Sequence, residues 1–381
     1  MKINEEWDKY WDGKKIAFIS PYSCPWGHHV EKEYVNGCTG WGGMFNQGVD
    51  FYYWGDVKDL TDLSVFNQYD YVSINIYPEF FNFVLRLRES YNGRIVGYTD
   101  INTRHIQHWE LKDCENLCKA LRAYDFVFCT NIDEVDMFIG CRGNNKGIGY
   151  TGWSSYGEIT HIQERIHPQN KDINLIALGI SNPGGFNRNV LENLTVAKNL
   201  LTYNQLKGLK FFTYYVTPNK KEGLESLRKL WGMEDHWDLV DELDYYTAIK
   251  YLSKAFIAIH IYDFAVVGRM SIDCGWLGIP FVSTNSQAPN RGLFPYTTVR
   301  DYDTTHATQK VIELLSNPTF YYQCAETAMR QAPFYSTPNT KLRMLVLLTG
   351  GTQYDIERLT YNNGCRYSDF RYAIGKNYSV V

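Results

Sequence analysis

The chain has 381 residues, with 38 Lys and Arg against 42 Asp and Glu and a formal net charge of -4; that length exceeds what one hydrophobic core usually supports and points to two α/β domains. Its 44% hydrophobic and 21% charged residues exclude a disordered chain, the lack of a long apolar run excludes a transmembrane helix, and the mildly acidic balance leaves only a local patch to contact nucleic acid. The opening MKINEEWDKYWDGKK has no apolar segment of the kind a secretory signal needs, and nine scattered cysteines read as buried thiols in a reducing compartment, so a cytoplasmic monomer without membrane contact is expected.

Lys14 to Ser20 (KKIAFIS) reads as a buried first strand leaving into the turn-rich PYSCPWG. Strand-like runs follow at Phe51 to Trp54, Tyr69 to Tyr77, Gly93 to Asp100 and Tyr124 to Asn131, with the helix-like FNFVLRLRESY and CENLCKALRAY between them. Strands alternating with helices imply right-handed crossovers and a parallel sheet. The polar stretch around Pro168 predicts a linker, after which the rhythm restarts at Ile173 to Ser181. It continues through Leu209 to Thr217, Lys254 to Tyr262, Ile279 to Asn285 and the helix HATQKVIELLSN. The expected organisation is an N-terminal Rossmann-like domain over 1–168, a C-terminal one over 169–350, and a tail, 351–381, that returns to the first.

Two such α/β domains facing a central cleft would take a ligand where the carboxyl ends of their strands converge. No GxGxxG follows a predicted strand, GCTGWGG (37–43) has no strand before it, and there is no GxxxxGK[ST], which argues against dinucleotide and P-loop chemistry. The run from Tyr251 to Thr284 is more informative. Gly268 and Arg269 open a helix there, where backbone N–H groups and a guanidinium together suit a diphosphate. Asp273, one turn on, could take both hydroxyls of a ribose; the same spacing also fits an ordinary i,i+4 surface pair. In IALGISNPGGFNR, Gly179, Ser181 and Arg188 line a glycine-rich loop opening a helix, either a phosphate seat or a plain turn using glycine's backbone freedom. Asp100 ends a strand of the first domain just before a helix, as an N-cap or as a general base for an acceptor hydroxyl.

Asp273 with Gly278-Ile279-Pro280 resembles the donor-nucleotide half of the GT-B glycosyltransferases, with Asp for the commoner Glu; Asp263 stands further upstream than the other acidic residue of that family's pair. Tyr98-Thr99-Asp100-Ile101 followed by Gln107-His108-Trp109 resembles, more narrowly, the bacteriophage DNA β-glucosyltransferases. That resemblance implies a GT-B fold and an inverting displacement with Asp100 as base. It puts Arg188 and Arg269 on the donor diphosphate and Asp273 on the ribose of a UDP-sugar, most commonly UDP-glucose. The implied acceptor is a hydroxymethylated pyrimidine in double-stranded DNA. No cofactor is then required, since arginines and helix termini can neutralise the leaving diphosphate, and any Mg2+ or Mn2+ is expected to be non-essential. Asp301-Tyr302-Asp303 has the D-x-D form of a metal site but is expected only to lead into a helix. Arg104, His105, Trp26 and Trp41 are the expected acceptor contacts, with Arg142 and Lys146 as further phosphate contacts. Two other readings stand beside this one: a GT-B enzyme acting on a polysaccharide, protein or small molecule, and a noncatalytic sugar- or nucleotide-binding protein.

Overall fold

The structure is a computed structural model describing residues 2–20, 49–99, 106, 109–152, 162–180, 189–203, 208–216, 218–241, 243–262 and 268–358. Short β-branched and aromatic runs, bounded by turn residues and too brief for helices, form strands buried between helices on both faces. The first sheet contains β1 (Ile16–Ser20), β2 (Val49–Tyr53), β3 (Tyr71–Asn75), β4 (Arg94–Tyr98), β5 (Phe126–Cys129) and β6 (Ile148–Tyr150), in the order β2-β1-β3-β4-β5-β6. Every pairing is parallel. With it go α1 (Lys2–Trp11), α2 (Trp54–Val57), α3 (Pro78–Ser90), α4 (Leu111–Ala123) and α5 (Asp133–Arg142). Trp54, read as the end of a strand, instead starts α2 and packs edge-on against Phe83.

The second sheet contains β7 (Leu175–Leu178), β8 (Lys210–Val216), β9 (Trp237–Asp241), β10 (Ile257–His260), β11 (Phe281–Thr284) and β12 (Thr298–Val299), again all parallel, in the order β12-β11-β10-β7-β8-β9. Its helices are α6 (Val190–Thr202), α7 (Pro218–Leu230), α8 (Tyr245–Leu252), α9 (Arg269–Leu277), α10 (Ala288–Leu293), α11 (Thr304–Ser316) and α12 (Pro318–Gln331). Ile176, Leu178, Ile257, Ile259 and Val282 from the strands close with Leu194, Ala197, Val311 and Leu314 from the helices into one apolar core. Two parallel sheets with flanking helices are thus present as expected; β6, β9 and β12 were not anticipated.

The chain divides into two compact units, one holding Met1–Tyr156 and Phe334–Thr360, the other Gly157–Phe264 and Gly268–Pro333. The first unit therefore closes before the Pro168 stretch and takes back α13 (Thr337–Leu348) as well as α14 (Gln353–Glu357). Specific bonds account for this return. Arg343 of α13 is fully buried, donates Nε to the Thr151 carbonyl at 2.7 Å and Nη1 to the Phe334 carbonyl at 2.9 Å, and lies over the Phe334 ring. Gln353 Oε1 accepts from the Tyr150 backbone N–H at 2.8 Å, which satisfies a donor on β6, the edge strand among the described residues.

Candidate functional site

In a doubly wound sheet the ligand crevice opens at the carboxyl ends of the strands, where strand order reverses. In the second unit that point lies between β7 and β10, because β8 continues to one side of β7 and β10 starts the other. Gly179 leaves β7 there, its N–H donating to the Ile259 carbonyl at 2.8 Å. A Cβ at this position would run into the His260 ring, so only glycine lets the two strand ends lie this close. Asn193 of α6, fully buried, donates Nδ2 to the Ile261 carbonyl at 2.9 Å and accepts from the Ile261 N–H at 2.8 Å, fixing the path by which the chain leaves β10.

Helix α9 begins where the sequence placed it, with Gly268 as its N-cap at φ +66° and Arg269 as its first residue. Asp273, the expected ribose ligand, is 4% exposed and so does not stand on an open helix face. Next to it, burial and then the Asp273 charge push the Cys274 thiol well above its ordinary range, so this cysteine serves packing rather than attack.

Sequence reasoning passed over the segment that follows β11. Ser283 donates its hydroxyl to the His260 carbonyl, and Thr284 and Ser286 both donate to the Tyr262 carbonyl, Ser286 at 2.6 Å. Asn290 Nδ2 donates to Ser283 Oγ and to the Thr284 carbonyl, each at 2.8 Å. Beside this lattice stands Gln287, 1% exposed, with neither Nε2 nor Oε1 bonded among the described residues. A Cβ on Gly268 would stand 2.6 Å from Gln287 Oε1, so the amide lies directly against the N-terminus of α9. Leaving a buried polar group unbonded costs about 1–3 kcal/mol, whereas the free N–H groups and positive end of a helix favour an anion. An anionic oxygen arriving here would meet the helix amides, and Gln287 Nε2 is an open donor on the same side chain. In sequence, Ser-Gln-Ala-Pro-Asn after a strand looks like solvated turn; the available signal was Pro289 in the first turn of α10.

On the first sheet, Thr99 donates its hydroxyl to Glu134 Oε2 at 2.6 Å and accepts from the Thr130 N–H at 2.9 Å, while Thr130 donates its own hydroxyl to the Thr99 carbonyl at 2.9 Å. This fully buried carboxylate was not foreseen. Asp100, which follows Thr99 in the chain, lies outside the described residues, as do Arg104, His105, Trp26, Trp41, Ser181 and Arg188. Arg142 and Lys146 belong elsewhere than expected. Arg142 ends α5, and its guanidinium donates to the Asp125 carbonyl at 3.2 Å and the Lys146 carbonyl at 3.0 Å. Asp125 precedes β5 and also binds Arg88 at 2.7 Å and Arg94 at 2.9 Å. Since α5 starts at the carboxyl end of β5 and runs back along the sheet, these cations gather at its amino edge, away from Thr99. Asp303 caps α11 by accepting from the His306 N–H at 2.9 Å, as its place before a helix suggested. Among the described residues no group of three His, Cys, Asp or Glu side chains can hold a metal, and no helix is long and apolar enough to cross a membrane.

No protein-family model matches the chain, and no curated protein matches it. Solved structures do. HepE from Anabaena in complex with UDP-glucose superposes with a TM-score of 0.63 at 10% identity, over 88% of this chain and 99% of that one. An α,α-trehalose 6-phosphate synthase from Burkholderia multivorans gives 0.63 at 10% identity over 88% and 96%. A trehalose-6-phosphate synthase studied for glycosyl transfer with retention gives 0.64 at 12% identity over 88% and 99%. The two parallel six-stranded sheets with their flanking helices have the fold of the GT-B glycosyltransferases.

Proposed function

We propose that this chain is a glycosyltransferase that takes its sugar from a UDP-sugar and seats the diphosphate at the carboxyl ends of β7 and β10. The observation that carries this reading is the unbonded Gln287 amide, buried against the glycine-capped start of α9. Its support from outside is that the HepE structures of the same fold hold UDP and UDP-glucose. Gly179 and Gly268 bring main chain close to the phosphates, Arg269 and Arg188 supply positive charge, Ser181 adds a hydroxyl, and Asp273 binds the ribose.

In the reaction the bond between the sugar's C1 and the diphosphate breaks, UDP departs with the electron pair, and an acceptor oxygen joins C1 as it loses its proton. Positive groups fixed around the departing diphosphate stabilise the charge that develops there. Asp100 is assigned as the base, a role worth roughly 10²–10⁴ in rate; direct attack opposite the leaving group then inverts C1. One neighbour of this fold transfers with retention, so the anomeric configuration of the product, read by proton NMR, tests the assignment: an α product from an α-linked donor removes it. A hydroxymethylated pyrimidine of duplex DNA is one acceptor reading, supported by the Tyr98–Ile101 and Gln107–Trp109 resemblance, and it would require the base to leave the stack. Calorimetric titration with UDP and UDP-glucose is the first experiment. Binding of UDP in the micromolar range is expected, and a folded protein that ignores millimolar UDP would overturn the proposal.

A further inference from the structure

The carboxyl edge of the first sheet carries buried polar atoms that seating a nucleotide in the second unit leaves unused. Asn75 ends β3, beside the place where this sheet reverses its strand order, between β1 and β3. It is 2% exposed and its Oδ1 has no partner among the described residues. Two strands along, Asn131 follows β5 and is also 2% exposed. Its Oδ1 accepts from the Asp133 N–H at 3.3 Å, which fixes the orientation of the amide and leaves Nδ2 unbonded among the described residues. Between them Thr99 and Thr130 spend their hydroxyls on one another and on Glu134.

Buried amides are almost always bonded in folded proteins, so two open ones on the edge where α/β sheets take ligands point to a guest. Neighbouring strands stand about 4.8 Å apart, so the two residues are offset by roughly 10 Å across the sheet, with Asn131 three residues beyond Phe128, the β5 residue level with Asn75, an offset that suits an extended, many-hydroxylated guest. An open oxygen and an open N–H complement alcohols, which donate and accept at once. A phosphate would instead face Asn75 Oδ1 and the Glu134 carboxylate, while Arg88, Arg94 and Arg142 sit at the opposite edge around Asp125.

We propose that the first unit binds a neutral polyhydroxylated acceptor, a mono- or oligosaccharide, with Asn75 Oδ1 accepting from one hydroxyl and Asn131 Nδ2 donating to another; this rests on the glycosyltransferase reading above. The test titrates the whole chain with UDP. It then offers labelled sugar, from whichever of UDP-glucose, UDP-galactose and UDP-N-acetylglucosamine is hydrolysed fastest, to maltose, to glucose 6-phosphate and to duplex DNA containing 5-hydroxymethylcytosine. Label is expected on maltose. Asn131→Asp keeps the oxygen that serves Asp133 and loses the N–H, and Asn75→Leu loses the open oxygen. Each is expected to raise the KM for maltose about ten- to a hundredfold while the KM for the donor stays put. Transfer to DNA or to glucose 6-phosphate without maltose, no transfer at all despite UDP binding, or an unchanged maltose KM in both variants overturns the saccharide assignment alone. Failure to bind UDP overturns the glycosyltransferase reading and this inference with it.

Discussion

The carboxyl edges of the two sheets are built from different chemistry. On the second, glycines at positions 179 and 268 remove side chains so that main chain can come close, and an open amide, Gln287, lies against a helix end. On the first, among the described residues, the strand ends carry Asn75, Thr99, Thr130 and Asn131 with a buried Glu134 behind them. Backbone amides and helix ends suit phosphate, whatever the rest of the molecule attached to it. Side-chain amides and hydroxyls read hydroxyl patterns. One topology therefore supports two kinds of recognition, and the choice between them lies in a few residues just past the strands.

The largest expected effect tests whether the first edge carries the proton chemistry. Asp100→Asn should lower kcat by roughly 10²–10⁴ with UDP affinity unchanged, and equal losses in both would break the division of labour. Gly268→Val should weaken UDP binding about 100-fold, or some 2.7 kcal/mol, because φ is +66° there and the new side chain meets Gln287; calorimetry measures it. At the amino edge, by contrast, only stability should move. Asp125 accepts from Arg88, Arg94 and the Ile95 N–H, and Asp125→Ala should cost about 2 kcal/mol in urea unfolding with turnover per folded molecule intact.

Gln287→Leu sharpens the contrast further, since it should weaken UDP about tenfold while stabilising the free protein by about 1 kcal/mol, an opposite pair of signs that a packing residue would not give. The smallest effect concerns Lys171, whose Nζ donates to the Ala255 carbonyl at 3.0 Å and whose pKa burial pulls from 10.5 down to about 8. The unfolded chain holds this proton more tightly than the folded one. Stability should therefore rise as pH increases from about 8 towards 10.5, and Lys171→Met should flatten that part of the pH profile.

Strand and helix alternation was legible because buried parallel strands are almost purely apolar, as in IAFIS and LIAL. The strands that escaped notice lack that mark: β6 is Ile-Gly-Tyr, β12 is Thr-Val, and the edge strand β9, WDLVD, is half polar. The glycine-to-proline stretch around α9 could be read because Gly268 and Gly278 both adopt left-handed backbone, for which glycine is the usual choice. Gln287, Asn75 and Asn131 could not, since nothing local distinguishes an amide buried without a partner from one on the surface. Arg343 and Lys341 carry no local mark either: one is fully buried against Phe334 and the other lies over Trp7.

The return of α13 and α14 to the first unit has a consequence for how the molecule is made. A ribosome that has released residues 1–156 has synthesised every strand of the first sheet, yet the Gln353 oxygen that meets Tyr150 and the guanidinium that meets Thr151 are still about two hundred codons away. Completion of the first unit thus waits on synthesis of the carboxyl-terminal half, and residues 1–156 alone are not a self-sufficient piece for recombination or fragment expression.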